Sequence, residues 1–205
     1  MKWTSLAAVV LSAALAAACS GNKATEEPST AATPGIPAAD SGDRTFIEHM
    51  LDAHLAEVEL GKLAAERGMD PDVKKFGSMM MSDHAKSGAA LDTIATRQGI
   101  PALAQREEKH RELREKLMKL QGAEFDREYM DAMVDSHEDV YEAIRSRVDI
   151  GNFGEDKGVV TPEKESNPVE GDVNQWAAGT LGVVISHIEE ARFIQDQLKS
   201  RNTTN

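Results

Sequence analysis

The sequence has a single cysteine, Cys19, so no disulfide can form within the chain. Aromatic residues make up only 4% of its 205 residues. Strands favour aromatic and β-branched residues, whereas this chain is rich in the good helix formers Ala, Met, Leu and Glu. The composition therefore predicts an all-α fold and excludes a disulfide-stabilised one.

The chain also lacks the common catalytic signatures and any internal repeat of solenoid type. It contains no phosphate-binding glycine loop, no G-x-S-x-G elbow, no C-x-x-C and no H-E-x-x-H. Acidic residues outnumber basic ones by 35 to 23, which gives a formal net charge of -12. Because an acidic chain repels phosphate backbones, we expect no nucleic-acid partner. Nothing in the composition identifies a protein partner or a reaction.

The N-terminus has the pattern of a secretory signal peptide over residues 1–18. A short positive start precedes the apolar run Trp3–Ala18, which is too short and too rich in Ala for a membrane span. Small residues then lead directly to Cys19, although Ala16 stands where Leu is usual. This end resembles the bacterial lipoprotein signal, in which the cysteine is lipidated and becomes the new N-terminus. The alternative is ordinary cleavage near the same point, which leaves a free thiol.

Attachment to a membrane through a lipid on Cys19 is the partner that this resemblance implies. Ser20 follows the cysteine instead of Asp, which by the same resemblance favours the outer membrane and a periplasm-facing domain. Residues 19–42 combine the lipid cysteine with a segment rich in Pro, Ala, Thr and Gly and without apolar periodicity. Such a segment buries too little surface to order itself, so we expect a flexible linker.

Residues 43–200 are predicted to fold as one helical domain, followed by a disordered tail over residues 201–205. Apolar residues recur at helical spacing in four long stretches, each with recognisable start or stop signals. The first expected helix begins near Asp43 with a Thr45/Glu48 capping box and ends at Gly68. The second runs from Asp70–Pro71 to Gly99. The other two run from Ala123 to Ile150 and from Asp172 to about Lys199.

The remaining segments are predicted to connect these helices. Ala102–Gln121 is dense in charge and reads as an exposed connector helix across one end of the domain. Residues 152–171 are rich in Gly, Pro and acid residues and are predicted to form a long loop. Four amphipathic helices bury their apolar faces most simply against one another, so the sequence predicts a four-helix bundle with an extra short connector helix.

Each long helix carries one polar residue within its apolar stripe, close to the helix midpoint. These residues are Glu57, His84, His137 and His187. A helix rises about 1.5 Å per residue, so groups near the midpoints lie at similar heights whichever way each helix runs. The sequence therefore predicts that the four side chains form one layer in the middle of the bundle.

Such a layer needs partners for its polar atoms. A buried carboxylate is costly unless it is paired, and imidazoles need partners for both ring nitrogens. A divalent metal would satisfy them together, and three His with one Glu suit Zn, Cu, Fe or Mn. His54 lies one helical turn before Glu57, and Glu190 lies one turn after His187. Each is a candidate extra ligand, or an outer partner that holds a ligand in place by a hydrogen bond. The alternative is a closed polar network without metal that fixes the helix register.

Methionine is the second unusual feature of these stripes. Met80 lies one turn before His84, and Met133 lies one turn before His137. Thioether and imidazole together suit Cu(I), whereas methionine is also a common filler of apolar cores. Two further histidines, His49 near a helix start and His110 in the charged connector, are expected on the surface.

Four stretches resemble the family known as domain of unknown function 4142. They are LAEVELGKLA at Leu55–Ala64, MSDH at Met81–His84, FDREYMDAMVDSH at Phe125–His137, and the final helix with His187. The resemblance implies a secreted or envelope-anchored bacterial protein with a ferritin-like helical bundle, over about Arg44 to Leu198. Its motif residues in this chain are Glu57 with Gly61, His84, Gly122 with Phe125, Asp126 and Tyr129, His137 and His187. The acidic segment 152–171 and Glu190 are not part of the family pattern, and the resemblance implies no activity.

Ferritin-like di-iron proteins carry a Glu three residues before the metal-binding His on two of their helices. The corresponding residues here are Met81, Val134 and Val184. A di-iron site is therefore disfavoured, and a mononuclear site fits better. The sequence predicts an envelope-anchored helical lipoprotein that binds one transition metal. The alternative is a non-catalytic structural or interaction protein of the envelope with a metal-free polar layer.

Overall fold

A computed structural model describes residues 39–101, 107–151 and 160–202. Over these residues the chain forms five α-helices and one short antiparallel strand pair, which confirms the all-α class. The elements are α1 (Ser41–Arg67), α2 (Pro71–Arg97), α3 (Glu108–Lys119), α4 (Gly122–Arg145), β1 (Val148–Ile150), β2 (Val160–Pro162) and α5 (Pro168–Asn202). The predicted signal peptide, Cys19 and most of the predicted linker lie outside the described residues. Among the described helices, none has the length and apolar character needed to cross a membrane.

The start of α1 differs from the predicted capping box. Asp40 is the N-cap, and its carboxylate accepts the backbone N–H of Asp43 at 2.8 Å. Thr45 lies inside the helix, where its hydroxyl donates to the carbonyl of Ser41. The capping-box prediction is wrong because Asp40 offers a stronger cap earlier in the chain. The predicted end at Gly68 is confirmed.

The boundaries of α2 agree with the sequence signals. Asp70 caps the helix by accepting the backbone N–H of Asp72 at 2.8 Å, and Pro71 is its first residue. Gly99, just beyond the end of α2, has a φ of 65°. This left-handed conformation favours glycine, which explains why the helix stops there.

The helix predicted over Ala123–Ile150 is too long at its C-terminal end. α4 ends at Arg145, and after a turn at Ser146 and Arg147 the chain forms β1, which pairs with β2 so that Val148 lies opposite Pro162. Val148, Ile150 and Val160 are β-branched, which favours strands over helix. Part of the predicted loop 152–171 is therefore a strand, and its residues 152–159 lie outside the described part of the chain.

The last helix extends beyond both predicted ends. Asn167 caps it: the side-chain oxygen accepts the backbone N–H groups of Val169 at 2.9 Å and Glu170 at 3.0 Å. The helix therefore begins at Pro168, before the expected Asp172. It also continues to Asn202, so the first two residues of the predicted disordered tail are helical.

The four long helices alternate in direction around their shared core. On α1 and α2, the close contact of Gly61 with Gly77 and that of His54 with Gly88 show an antiparallel pair. Between α4 and α5, Glu138 binds Arg192 and Asp131 binds Gln195, in the same antiparallel sense.

The connector α3 runs along α1 instead of across one end of the domain. Near its start, Glu107 binds His49, and just beyond its end the carbonyl of Leu120 accepts from Arg67. The prediction of its position is therefore wrong, and there is a topological reason. α2 and α4 both run opposite to α1, so the chain between them must travel back along the length of the domain. A single long crossover of this kind is also found in ferritin-like folds.

The apolar core is divided into two clusters. On α1, Ala53 and the residues before it belong to one cluster, and Leu60 and those after it belong to the other. On α2 the change comes between Met80 and Leu91, and on α4 it comes after Val134. The predicted polar residues of these three helices fall in the gaps between the two clusters.

Candidate metal centre

Three buried imidazoles meet between the two apolar clusters. His84 on α2, His137 on α4 and His187 on α5 each place one ring nitrogen within 4.8 Å of the other two. Their ring centroids are 5.3 to 5.5 Å apart. Three of the four residues of the predicted layer therefore do come together.

The separation of two of these nitrogens suits a shared ion. Nε2 of His84 lies 3.3 Å from Nε2 of His137. Two nitrogens that each lie about 2.0 Å from one tetrahedral ion are about 3.3 Å from each other. The same distance also permits a hydrogen bond between neutral rings, so it fits both a metal site and a polar network.

Two of the imidazoles are held by partners outside the group. Nδ1 of His137 donates to the carbonyl of Met133 at 2.8 Å, which leaves its Nε2 as the nitrogen with a lone pair. Nε2 of His187 lies 3.3 Å from a carboxylate oxygen of Asp83, and its Nδ1 is buried without a partner among the described residues. Metal-binding histidines have this pattern, with one nitrogen bound to a carbonyl or carboxylate and the other directed at the ion.

Burial keeps these rings neutral. It lowers the pKa of His137 to about 4, although the hydrogen bond to Met133 acts in the opposite direction. Burial also lowers the pKa of His84 well below its ordinary value, and the neighbouring His137 lowers it further. The pKa of His187 is lowered by burial and then by His137, against the raising effect of Asp83. Neutral imidazole is the form that binds metal, so the site needs no proton removed near neutral pH.

His54 contacts His84 from outside the group of three. Its Nδ1 lies 2.9 Å from Nδ1 of His84, and it is not one of the three grouped histidines. Burial lowers the pKa of His54 to about 4, and His137 adds to the effect. Its second ring nitrogen, Nε2, is buried and has no partner among the described residues.

Glu57 lies outside the group of three, although the sequence predicted it as a ligand. Its Oε1 accepts the hydroxyl of Ser136 at 2.7 Å, and that hydroxyl oxygen lies 3.5 Å from Nδ1 of His137. Its Oε2 is buried without a partner among the described residues. Burial raises the pKa of Glu57 to about 7, against the lowering effects of Ser136 and His110. Glu57 lies at the predicted height in the bundle, but its carboxylate accepts from Ser136 and does not join the ring nitrogens.

The other sequence candidates lie further from the centre. Glu190 is exposed, and Asp83 on α2 is the acid that binds His187 instead. Met80 and Met133 are both buried in the second apolar cluster. Met133 also contributes its backbone carbonyl, a role that no side-chain pattern indicates.

A second group of possible ligands lies where α3 meets α1. Asp52, Glu107 and His110 also place one ligand atom each within 4.8 Å of one another. One oxygen of Asp52 accepts the backbone N–H of Glu107 at 3.2 Å, and the other binds His110. Both oxygens thus hold the start of α3 on α1. The expected surface position is wrong for His110, because no local pattern shows that α3 lies on this face of α1.

Two motif residues outside the layer, Gly61 and Asp126, position α1 and α2. A Cβ added to Gly61 would lie 2.6 Å from the carbonyl of Gly77, so the glycine allows α1 and α2 to pack closely. The carboxylate of Asp126 accepts the backbone N–H groups of Met69 at 2.9 Å and Asp70 at 2.8 Å. It therefore fixes the turn between α1 and α2.

A known protein family matches most of the chain. A model of a protein family described as a domain of unknown function (DUF4142) matches residues 26–194. No curated protein and no solved structure matches the chain. The matched range includes the three grouped histidines, His54 and Glu57.

Proposed function

The chain belongs to the DUF4142 family, and we propose that it is an envelope-anchored protein that binds one transition-metal ion. The proposed ligands are one ring nitrogen each of His84, His137 and His187. The observation that carries the proposal is the convergence of three buried imidazole nitrogens within 4.8 Å. These rings come from three different helices, so a bound ion would link the elements that form the core.

The donor set narrows the choice of metal. Imidazole nitrogens suit Zn, Cu and Fe, whereas Mn favours oxygen ligands. Glu57, the carboxylate that would have favoured Mn, binds Ser136 instead. We therefore expect Zn or Cu to bind most tightly, Fe to bind more weakly and Mn to bind weakest. Three protein ligands leave a further coordination position open on such an ion.

Two neighbouring groups would orient the ligands. The Met133 carbonyl holds the ring of His137, and the Asp83 carboxylate holds that of His187. Both groups stabilise the tautomer in which the other ring nitrogen carries the lone pair. The protein would thus hold the ligating nitrogens in place before any ion arrives.

The direct test is metal binding by the chain carrying Cys19→Ser, which lacks the predicted lipid acceptor. After treatment with a chelator, the protein is titrated with Zn, Cu, Fe and Mn by isothermal titration calorimetry. The midpoint of thermal unfolding is then measured with each ion. We expect one ion per chain and a rise in the midpoint, because an ion that binds only the folded state stabilises it.

Matched variants separate the proposed ligands from other histidines. His137→Phe and His187→Phe keep a ring in the core but remove its nitrogens. Each should weaken Zn binding by more than the roughly 10- to 100-fold that loss of an outer partner costs. His49→Phe, at a histidine outside the layer, should leave binding unchanged. Equal affinities for all of these variants would refute the assignment.

A metal-free polar layer is the second candidate function. The hydrogen-bonded contacts from His54 to His84 and from His84 to His137 support it, since they satisfy several ring nitrogens without an ion. In that case the layer would serve to fix helix register in a structural or interaction protein of the envelope. It predicts no bound ion and no change in thermal midpoint with any of the four metals.

Envelope attachment has its own test. The signal-like residues before Cys19 support a lipidated N-terminus, and Ser20 after it supports a periplasm-facing protein of the outer membrane. We expect the wild-type chain expressed in a Gram-negative bacterium to incorporate a labelled fatty acid and to fractionate with outer membranes. Cys19→Ser should abolish both, whereas incorporation into that variant would contradict the proposal.

A further inference from the structure

A cleft between α1 and α2 reaches the histidine layer from outside. Its volume is ≈ 450 Å³, and most of its walls are aliphatic side chains, among them Leu51, Leu55 and Val58. The polar rings among its lining residues are His54 and His84. Small-molecule sites combine mostly apolar walls with a few polar groups that fix the orientation of the ligand.

One of these polar groups has no partner. Nε2 of His54 is buried and unpaired among the described residues. Gly88, another lining residue, packs closely against His54: a Cβ there would lie 3.2 Å from Cβ of His54 and 3.7 Å from its Cδ2. Cδ2 is the ring atom bonded to Nε2, so the edge that carries the unpaired nitrogen lies next to a cleft residue without a side chain.

The hydrogen bonds of the layer determine which proton each neutral ring carries. The carbonyl of Met133 has no proton, so Nδ1 of His137 must be the donor in that bond. Nε2 of His137 is then an acceptor, and Nε2–H of His84 donates to it. Nδ1 of His84 in turn accepts from Nδ1–H of His54. Because a neutral imidazole has only one N–H, Nε2 of His54 is an acceptor.

We propose that this cleft binds a small apolar molecule whose polar group is a hydrogen-bond donor, with phenol as the simplest representative. Its apolar body lies against Leu51, Leu55 and Val58, and its hydroxyl donates to Nε2 of His54. A molecule of similar shape without the donor gains no hydrogen bond to that buried acceptor and should bind more weakly. The proposal does not rest on metal binding, because the acceptor follows from the hydrogen bonds alone.

The test uses the full chain with Cys19→Ser after chelator treatment, titrated separately with phenol, anisole and toluene. Anisole has an oxygen but no proton to donate, and toluene has neither. We expect phenol to bind at least about 10-fold more tightly than both. We also expect the ¹⁵N resonance of His54 Nε2 to shift on addition of phenol, since that nitrogen receives the new hydrogen bond.

Two exposed alanines of α2 provide a matched pair of variants. Ala85 lines the cleft, whereas Ala90 does not. Ala85→Leu should fill the opening and abolish phenol binding, while Ala90→Leu should bind phenol like the wild type. Circular dichroism checks that both variants fold. Equal binding of phenol and anisole, equal loss in both variants, or no binding of phenol to the wild type would each overturn the proposal.

Discussion

His137 donates its Nδ1–H to the backbone carbonyl of Met133, on the same helix, at a distance of 2.8 Å. The ring is therefore held by its own helix and does not depend on a neighbouring side chain for its orientation. Its Nε2 lone pair is directed toward His84, 3.3 Å away. The bond to the Met133 carbonyl thus sets the direction of every hydrogen bond from His137 through His84 to His54.

The first prediction concerns the tautomers of this chain of rings. An ion bound to Nε2 of His84 requires the lone pair there, so the proton of that ring must lie on Nδ1. His54 must then accept at Nδ1 and carry its own proton on Nε2. We expect zinc to reverse the tautomer of His54 without a change in its charge. The ¹⁵N shifts of its two ring nitrogens, measured with and without zinc, test this directly.

The reversal predicts a coupling between zinc and phenol. Once Nε2 of His54 carries a proton, it donates instead of accepting, and the oxygens of phenol and anisole can both accept from it. The roughly 10-fold preference for phenol should therefore be lost on the zinc-loaded protein. Because such couplings are reciprocal, phenol should lower zinc affinity about 10-fold more than anisole does. A preference for phenol that does not change with zinc would show that the two sites are independent.

The second prediction is that metal binding resists acid. Protons compete with an ion only when the pH approaches the pKa of the ligands. Burial lowers the pKa of His137 to about 4, from an ordinary value of 6.5. Zinc affinity should therefore remain nearly constant from pH 7 to about pH 5 and fall below that. A solvent-exposed hexahistidine peptide, titrated in parallel, should lose zinc already below about pH 6.5.

The third prediction concerns stability without metal. The lowered pKa values of His54 and His137, both about 4, mean that the folded chain binds fewer protons than the unfolded chain between pH 6.5 and 4. This contribution to stability is complete above pH 6.5 and is lost as the pH falls toward 4. Each ring can lower the free energy of unfolding by up to about 1.4 kcal/mol per pH unit in that window. Denaturant unfolding at several pH values measures the slope.

Glu57 should change the stability of the folded chain with pH in the opposite direction. Burial raises its pKa to about 7 from 4.5, so its contribution is favourable below pH 4.5 and is lost as the pH rises to 7. Glu57→Gln keeps an acceptor for Ser136 without the charge. The variant should gain stability relative to wild type between pH 4.5 and 7, by up to about 1.4 kcal/mol per unit. Glu59→Gln, on the exposed face of the same helix, is the matched control, and a parallel trend in both variants would contradict the assignment.

The fourth prediction tests the close packing of α1 and α2. A Cβ at Gly61 would lie 2.6 Å from the carbonyl of Gly77 and 2.9 Å from the backbone nitrogen of Met81. Backbone atoms cannot move aside as a flexible side chain can, so Gly61→Ala should destabilise the protein by about 1–3 kcal/mol.

Gly179 on α5 provides the matched control, because a Cβ there meets nothing within 4 Å. Gly179→Ala should stabilise the helix by about 0.5–1 kcal/mol, since glycine loses more backbone entropy on folding than alanine does. Equal effects of the two substitutions, measured by urea unfolding, would show that the contact between α1 and α2 is looser than described.

The sequence by itself determined the helical class and the residues that occupy the middle of the core. Apolar spacing of three and four residues places His84, His137 and His187 on buried faces, because side-chain position around a helix follows from a period of 3.6. Positions near the middle of each predicted helix then place these residues at similar heights. Local chemistry was also sufficient for the Asp70 cap and for the end of α1 at Gly68, since caps act through neighbouring backbone groups.

Only the tertiary structure decided which neighbour each polar group meets. Spacing places Glu57 at the right height, yet its carboxylate binds Ser136, because its direction depends on how α1 and α4 are rotated against each other. The path of α3 along α1, and with it the burial of Asp52 against His110, depends on the directions of α2 and α4. These are contacts between residues distant in the chain, and helical periodicity carries no information about them.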